Sequence, residues 1–175
     1  WQPKEFAGTF GPLLDQSRVW SSAWSGTEEY GSFVNLHDAD TTGNYLQGSA
    51  TLTINPSINS NQIRIYAYRH SSSGSHYLNI NGTDVSSQIT VGSYNWNNIT
   101  GITAPITSIE TYSADYSSDL ITLKAIEIAG KLLVDSSVTV PNNSFHLDFS
   151  DTSSNAALGT DSSTNSNSWT VNNIQ

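Results

Sequence analysis

Alternation of aliphatic and polar side chains with a period of two is the feature that most constrains how this chain folds. In the stretch NQIRIYAYRH, residues 61–70, aliphatic side chains alternate with those of arginine and tyrosine. In GSATLTINPSI, residues 48–58, aliphatic side chains alternate with threonine. Successive side chains of a β-strand point to opposite faces, so each stretch predicts a strand with one face in a core.

Turn-forming residues separate these predicted strands at short and regular intervals. The stretch HYLNINGTDV, residues 76–85, contains the pair Asn81-Gly82, which is a strong signal for a hairpin turn. Three further strand-like stretches follow it: YNWNNITGI, APITSIETYS and LITLKAIEIAGKLLVD. Turn signals recur about every 8–12 residues and almost nothing has a helical period, which predicts an all-β antiparallel β-sandwich.

The chain divides into three parts by its patterning. Residues 1–16 contain two prolines and two glycines with irregular apolar spacing, and we interpret them as an N-terminal segment that precedes the sandwich. The β-sandwich module is predicted over 17–140. Residues 141–175 contain one alternating strand and then a loop rich in Ser, Thr, Asn and Asp. We interpret them as an extended C-terminal connector that wraps the sandwich or leads to a further module.

Composition supports this fold class and argues against several functions. Hydrophobic residues make up 36% and charged residues 12%, while 5 Trp, 8 Tyr and 5 Phe supply large side chains for burial. The net charge of −9 argues against binding nucleic acid or an anionic membrane through a basic surface. The same charge is compatible with binding neutral glycans or cations. The chain has no cysteine, so we expect no disulfide and no zinc-thiolate site.

The sequence predicts neither a membrane span nor a signal peptide. No apolar run reaches the roughly 18 residues of a membrane span, and no signal-peptide pattern is found at the start. The sequence contains no methionine and opens on Trp1, from which we expect a processed piece or fragment of a longer polypeptide.

Two short patches resemble the galactose-binding-like jelly roll of the discoidin type. NLHDADTTGN, residues 35–44, resembles the D-G-[DN]-x-x-T loop of that family, with Ala39 in the position of the family's glycine. AIEIAG, residues 125–130, resembles its closing strand. The resemblance implies a jelly-roll sandwich of the kind found in many carbohydrate-binding modules.

A longer resemblance covers the last third of the chain. LKAIEIAGKLLVDSSV, residues 123–138, and SFHLDFSDTSSNAALGTDSSTNSNSWTVNN, residues 144–173, look like a recurring block of structural and tail-fibre proteins of marine tailed phages. In that block a jelly-roll module is followed by a connector. The resemblance implies a virion or extracellular location and contact with host-surface glycan, with copies of itself, or with other fibre proteins.

The loop of the first patch also has the residue types of a calcium site. Asp38, Asp40 and Thr42 place hard oxygen ligands on one short loop, which suits Ca²⁺. The resemblance implies that the backbone carbonyl of Asn35 and the carboxylate of Glu127 complete a structural calcium site.

Glu127 is the one acid inside an otherwise apolar run, between Ile126 and Ile128. A cation would neutralise it there, whereas burying an unpaired carboxylate is costly. The alternative is that Glu127 faces outwards while Ile126 and Ile128 face the core, which a period of two allows.

Aromatic and basic residues cluster around the predicted loop SSSGS. Aromatic rings stack on sugar rings and Arg or His side chains donate to hydroxyls, so these residue types favour a glycan site. The candidate ligand-binding residues are Tyr66, Tyr68, Arg69, His70, His76, Tyr94 and Trp96. The alternative is that the tyrosines are ordinary outer-face residues and that Trp96 anchors the core, as we expect of Trp20 and Trp24.

Catalysis has little support in the sequence. No nucleophile elbow, zinc-protease motif or P-loop is found, and Asp115 and Asp119 are the only carboxylates that we considered as a hydrolytic pair. We therefore predict a non-enzymatic virion fibre or tail module that contacts the host surface through glycan. The alternatives are a self-assembling spacer or decoration domain of a fibre or capsid, and a bacterial extracellular adhesin or matrix module.

Overall fold

The structure, a computed structural model, describes residues 13–40, 42–43, 45–71, 75–113 and 120–138, with 153–154 and 157. One compact unit, Gly11–Val138, contains the strands. The other unit, Trp1–Phe10 with Thr139–Gln175, lies almost wholly outside the described residues. The predicted C-terminal connector, 141–175, and the acids Asp115 and Asp119 therefore remain predictions.

Ten strands are found in the described part of the chain. They are β1 Leu13–Asp15, β2 Trp24–Tyr30, β3 Gln47–Ile58, β4 Ile63–Arg69, β5 Tyr77–Ile80, β6 Thr83–Asp84, β7 Asn95–Ile99, β8 Ile106–Tyr112, β9 Ile121–Ile128 and β10 Lys131–Leu133. Three short 3-10 segments accompany them, at Ser21–Ala23, Phe33–Leu36 and Ser86–Gln88. The strands form a first sheet, with the order β1-β10-β9-β4-β7, and a second sheet, with the order β2-β3-β8-β5-β6.

The prediction of an all-β sandwich is confirmed. All strand pairs are antiparallel except β1 with β10, which is parallel. Since β1 lies within residues 1–16, the first sheet begins before Ser17. One core takes alternate residues from both sheets, together with Trp20 and Trp24 as expected; its members include Leu52, Ile54, Ile63, Ile65, Ile80, Ile109, Leu123 and Ile126.

The predicted hairpin turn is also confirmed. Asn81 and Gly82 connect β5 to β6, and both have positive φ angles, 51° and 77°. Asparagine and glycine tolerate this region better than other residues, which is why the pair predicts the turn. The Asn81 side chain adds to it, because its amide donates to the carbonyl of Pro105 at 2.8 Å.

A bulge in β9 determines which way Glu127 faces. Tyr66 on β4 pairs with Ala125 and the next residue, Ala67, pairs with Leu123, so Lys124 is an extra residue on β9. Leu123, which precedes the bulge, faces the core. In a strand without the bulge, strict alternation would turn Glu127 towards the core as well. With it, Ile126 and Ile128 face the core and Glu127 faces outwards. This is the second of the two orientations that the sequence allowed.

A buried histidine joins the two sheets at the seam beside β10. The His37 ring has no solvent exposure, its Nδ1 lies 2.8 Å from the Leu133 carbonyl, and Trp24 Nε1 donates to its Nε2 at 3.0 Å. An indole N–H can only donate, so Nε2 accepts and Nδ1 carries the proton. Burial lowers the pKa of His37 to about 4, which keeps this arrangement neutral.

Candidate functional site

Five aromatic rings form a continuous strip on the outer face of the first sheet. The aromatic strip comprises Tyr45, Tyr66, Tyr68, Tyr94 and Trp96. Ring centroids are 6.3 Å apart for Tyr45 and Tyr94, 4.9 Å for Tyr94 and Tyr68, 5.9 Å for Tyr94 and Tyr66, and 5.4 Å for Tyr66 and Trp96. These spacings lie within the range of direct aromatic contact, so the strip presents one apolar surface with polar tips.

Strand alternation and register place most of the strip. Tyr66 and Tyr68 face outwards from β4 because Ile65 and Ala67 face the core. Trp96 on β7 is directly opposite Tyr66 in the antiparallel pair, and directly opposite residues project to the same face. β4 and β7 therefore contribute aromatic side chains to the same surface.

Tyr45 reaches the strip from a different part of the chain, before β3. It stacks on Tyr30 at the end of β2, with centroids 5.0 Å apart. The close approach depends on Gly31, which has φ 81° and whose absent Cβ would lie 1.7 Å from the Tyr45 carbonyl oxygen. No larger residue fits there without moving Tyr45.

A cleft of about 510 Å³ lies at the end of the strip where β4 ends. We call it the tyrosine cleft; Tyr45, Gln47, Tyr68, His70, Tyr94 and Thr122 help to line it. Gln47 is 4% exposed, and its Nε2 donor has no hydrogen-bond partner. A buried amide nitrogen without a partner costs free energy, and a ligand acceptor would remove that cost once the Gln47 side chain turns towards the cleft.

Tyr94 is the central ring of the strip and a polar member of the tyrosine cleft. Thr122 Oγ1 donates to its hydroxyl oxygen at 2.8 Å. Burial raises the pKa of Tyr94 to about 12, so the hydroxyl stays protonated. Because the oxygen accepts from Thr122, the Tyr94 proton is available to a ligand oxygen.

A second cleft, of about 460 Å³, lies where β4 begins and β7 and β9 end. We call it the arginine cleft; Arg64, Asn98, Gly101 and Glu127 help to line it. Arg64 Nη2 donates to Glu127 Oε2 at 2.6 Å, and its guanidinium lies 4.5 Å from the Trp96 ring centroid. Arg64 is thus the partner of the Glu127 carboxylate. The buried Nε of Arg64 has no hydrogen-bond partner.

Lys124, the extra residue of the bulge, covers the middle of the strip. Its ammonium lies 4.6 Å from the Tyr94 ring centroid and donates to the Thr42 carbonyl at 3.3 Å. It therefore connects the strip to the acidic loop, which the structure describes at 38–40 and 42–43. Hydrogen bonds from Thr42 and Gly43, and then the charge of Lys124, lower the pKa of Asp40.

The acidic loop is held together by its own hydrogen bonds. Asp40 Oδ1 accepts from the Thr42 N–H and hydroxyl, both at 2.7 Å, and from the Gly43 N–H at 3.0 Å. Asp38 Oδ1 accepts from the Asp40 N–H at 2.8 Å, and burial raises the pKa of Asp38. Ala39 adopts φ 68°, the left-handed region that favours the glycine of the resembling family.

The residues predicted to bind calcium fall into two groups. Asp38, Asp40 and Thr42 contact one another in the acidic loop, and Asn35 ends a 3-10 turn closed by its N–H bond to Ser32 O. Glu127 contacts Arg64 instead. In the part of the chain that the structure describes, no three His, Asp or Glu side chains are grouped to hold a metal. The calcium site stays a prediction.

The residues predicted to bind glycan are mostly brought together. Tyr66, Tyr68, Tyr94 and Trp96 belong to the aromatic strip, and His70 lines the tyrosine cleft. Two others lie elsewhere. Arg69 pairs with Ile121, which faces the core, so it projects away from the strip. His76 is buried immediately before β5 in the second sheet.

Sequence reasoning did not select Arg64, Lys124, Tyr45 or Gln47. Arg64 has a local signal, since it shares a strand face with Tyr66 and Tyr68 by alternation. Lys124 has a local signal as well, since it follows the core residues Ile121 and Leu123 in alternation and so faces outwards. Tyr45 and Gln47 reach the cleft through contacts distant in sequence, and no local pattern indicates them.

The fold and the site define the chain as an all-β sandwich with an aromatic outer face. Comparisons with protein-family models, with curated proteins and with solved structures find no match to this chain. Within the described residues, no helix has the length and apolar character that crossing a membrane requires.

Proposed function

We propose that this chain is a non-enzymatic, jelly-roll-type module that binds glycan on the aromatic strip and in the tyrosine cleft. The observation that carries the proposal is the combination of tyrosine rings in direct contact with the unpartnered amide nitrogen of Gln47 in one cleft. Sugar rings offer apolar faces for the rings and hydroxyls for the amide, so they match both features.

The chemistry of the cleft favours binding over hydrolysis. Glycoside hydrolysis uses two carboxylates across the scissile bond, and the described residues that line the tyrosine cleft include none. Glu127, a carboxylate beside the strip, is ion-paired with Arg64. We therefore propose that polar groups orient the sugar and do not react with it.

The setting that we propose is a virion fibre or tail protein at the host surface. It rests on the resemblance of residues 123–138 and 144–173 to phage fibre blocks. A spacer role in a fibre or capsid, or an adhesin role, would use the same sandwich. If attachment to the host surface depends on glycan, the module has a binding role and not a spacer role.

A glycan array probed with three matched proteins tests the proposal. Wild type should bind at least one glycan, and Tyr94→Ala should weaken that binding about tenfold, equivalent to about 1.4 kcal/mol. Tyr94→Phe should keep most of the binding because it keeps the ring. Tyr112→Ala is the control, since Tyr112 is half-buried on the outer face of the second sheet.

Two results would reject the proposal. One is an array on which wild type binds no glycan at a concentration that detects weak ligands. The other is equal loss of binding in Tyr94→Ala and Tyr112→Ala, which would assign the effect to stability and not to the strip.

A further inference from the structure

The two clefts lie at the two ends of one aromatic strip, which gives the outer face the form of a continuous track. Arg64 and Tyr68 are four residues apart on β4, about 13 Å at the usual rise of about 3.3 Å per residue. The rings of Tyr66 and Trp96 fill the interval. The track is therefore longer than a single sugar ring.

Each end of the track holds a buried donor without a protein acceptor. In the tyrosine cleft it is Gln47 Nε2, and in the arginine cleft it is Arg64 Nε. Buried polar groups are normally hydrogen-bonded, so each of the two donors would gain from an acceptor atom supplied by a ligand, once its side chain turns towards the cleft that it lines. One ligand that serves both positions must extend along β4.

The charges along the track are balanced. Arg64 is paired with Glu127 at 2.6 Å, and Lys124 lies close enough to Asp40 to help lower its pKa. A strongly charged polymer gains little from such a surface, whereas a neutral chain of hydroxyl-bearing rings matches the aromatic rings and the donors together.

We propose that this face binds an internal segment of a linear, neutral polysaccharide laid along β4, with the Arg64–Glu127 pair as the polar subsite at its far end. The inference rests on the proposed glycan function and deepens it. A terminal-sugar binder would need the tyrosine cleft alone; this proposal requires both clefts at once.

Calorimetric titration with oligosaccharides of increasing length tests it. The probes are disaccharides and hexasaccharides of three neutral series: β-1,4-glucan, β-1,3-glucan and β-1,4-xylan. In at least one series the hexasaccharide should bind wild type about tenfold tighter than the disaccharide, a gain equivalent to about 1.4 kcal/mol.

Variants at the far end should remove that gain selectively. Arg64→Lys keeps the charge but loses the Nε donor, and Asn98→Ala changes an exposed residue of the same cleft. Each variant should lower the affinity for the hexasaccharide towards that for the disaccharide, and should leave the affinity for the disaccharide unchanged. Lys131 is an exposed cation on β10, and Lys131→Gln should change neither affinity.

The outcomes separate this inference from the proposed function. Equal affinity for both lengths, or a length preference that survives both cleft variants, would overturn the track while leaving a glycan site. No binding in any series, together with an array without hits, would overturn both. A concentration-dependent dimer that Tyr94→Ala abolishes would assign the face to a second copy of the chain and would also overturn the track.

Discussion

The outer faces of the two sheets are built from similar residues but differ in how their polar groups are satisfied. On the second sheet Tyr77 and Tyr112 lie directly opposite and stack, with centroids 5.1 Å apart. Glu110 accepts from the Tyr77 hydroxyl and from Asn79 Nδ2, each at 3.1 Å. These three polar side chains of the face thus bond to one another. The aromatic strip of the first sheet instead lies between two buried donors without acceptors.

The two sheets also differ in charge. The strands of the first sheet carry four basic residues, Arg64, Arg69, Lys124 and Lys131, and two acids. The strands of the second sheet carry four acids, Glu28, Glu29, Asp84 and Glu110, and no basic residue. The strands of the two sheets therefore differ in the sign of their net charge, although the chain as a whole has a net charge of −9. The comparison teaches that a binding surface is recognised by unsatisfied groups and local charge, not by aromatic content alone.

The largest expected effect concerns the seam on which both faces depend. The pKa of His37 is lowered from 6.5 to about 4 in the folded state, so the unfolded chain binds more protons between these values. Stability contributed by neutral His37 is complete above pH 6.5 and is lost as pH falls towards 4. The loss should reach about 3 kcal/mol.

Urea unfolding at several pH values measures this loss. His37→Gln is the matched variant, since an amide can hydrogen-bond but does not titrate in this range. It should lower stability at pH 7 and show much less change between pH 6.5 and 4. Equal pH dependence in wild type and variant would show that other groups control the acid response.

A second prediction sharpens the comparison between faces. Arg64→Ala leaves the Glu127 carboxylate, 9% exposed, without its partner, and should destabilise the fold by about 2 kcal/mol, less than for a fully buried pair because Arg64 is partly exposed. Tyr77→Phe on the other face removes one hydrogen bond to Glu110 and should cost about 1 kcal/mol or less. Equal losses of unfolding free energy in Arg64→Ala and Tyr77→Phe, measured by urea unfolding, would contradict the proposed difference between the two faces.

A third prediction decides between two partners for Glu127. If it acts through Arg64, Glu127→Gln should lower the melting temperature by the same amount with and without EDTA. If it binds calcium instead, EDTA should lower the wild-type melting temperature, excess Ca²⁺ should restore it, and the variant should lack that response. We expect the first result, because the ion pair already supplies the carboxylate with a partner.

The smallest expected effect concerns the acidic loop beside the strip. Ala39 has φ 68°, which costs an L-residue roughly 1–2 kcal/mol. Glycine removes this strain but adds freedom to the unfolded chain. Ala39→Gly should therefore raise stability by about 0.5 kcal/mol, measurable as a small rise in melting temperature. A lower melting temperature would indicate that the loop does not hold this conformation.

Much of the fold follows from local signals. Alternation predicts the strands, and the pair Asn81-Gly82 predicts its hairpin, because both depend on neighbours in sequence. The orientation of Glu127 does not follow from a strict period, since the bulge at Lys124 reverses it. A signal is nevertheless present: the core residues Ile121, Leu123, Ile126 and Ile128 are spaced by two, three and two.

Local sequence signals predict only part of the candidate site. Tyr66 and Tyr68 share a face by alternation, and Trp96 joins them once the pairing of β4 with β7 is known. Tyr45 and Gln47 depend on Gly31 and on sheet contacts distant in sequence. The unsatisfied donors that distinguish this face from the other appear only when every hydrogen bond is traced in three dimensions.

The central claim is that glycan binds on the outer face of the first sheet, and not on that of the second, and NMR of side-chain N–H groups tests it most directly. A titration of ¹⁵N-labelled protein with the best glycan from the array reports on Arg64 Nε and Trp96 Nε1 of the first sheet and on Gln47 Nε2, which lines the tyrosine cleft from the start of β3. It also reports on Asn79 Nδ2, on the outer face of the second sheet. The account predicts that the first three signals shift with a single affinity while Asn79, held by Glu110, stays unchanged. Shifts at Asn79 with Gln47 and Trp96 unmoved would contradict it.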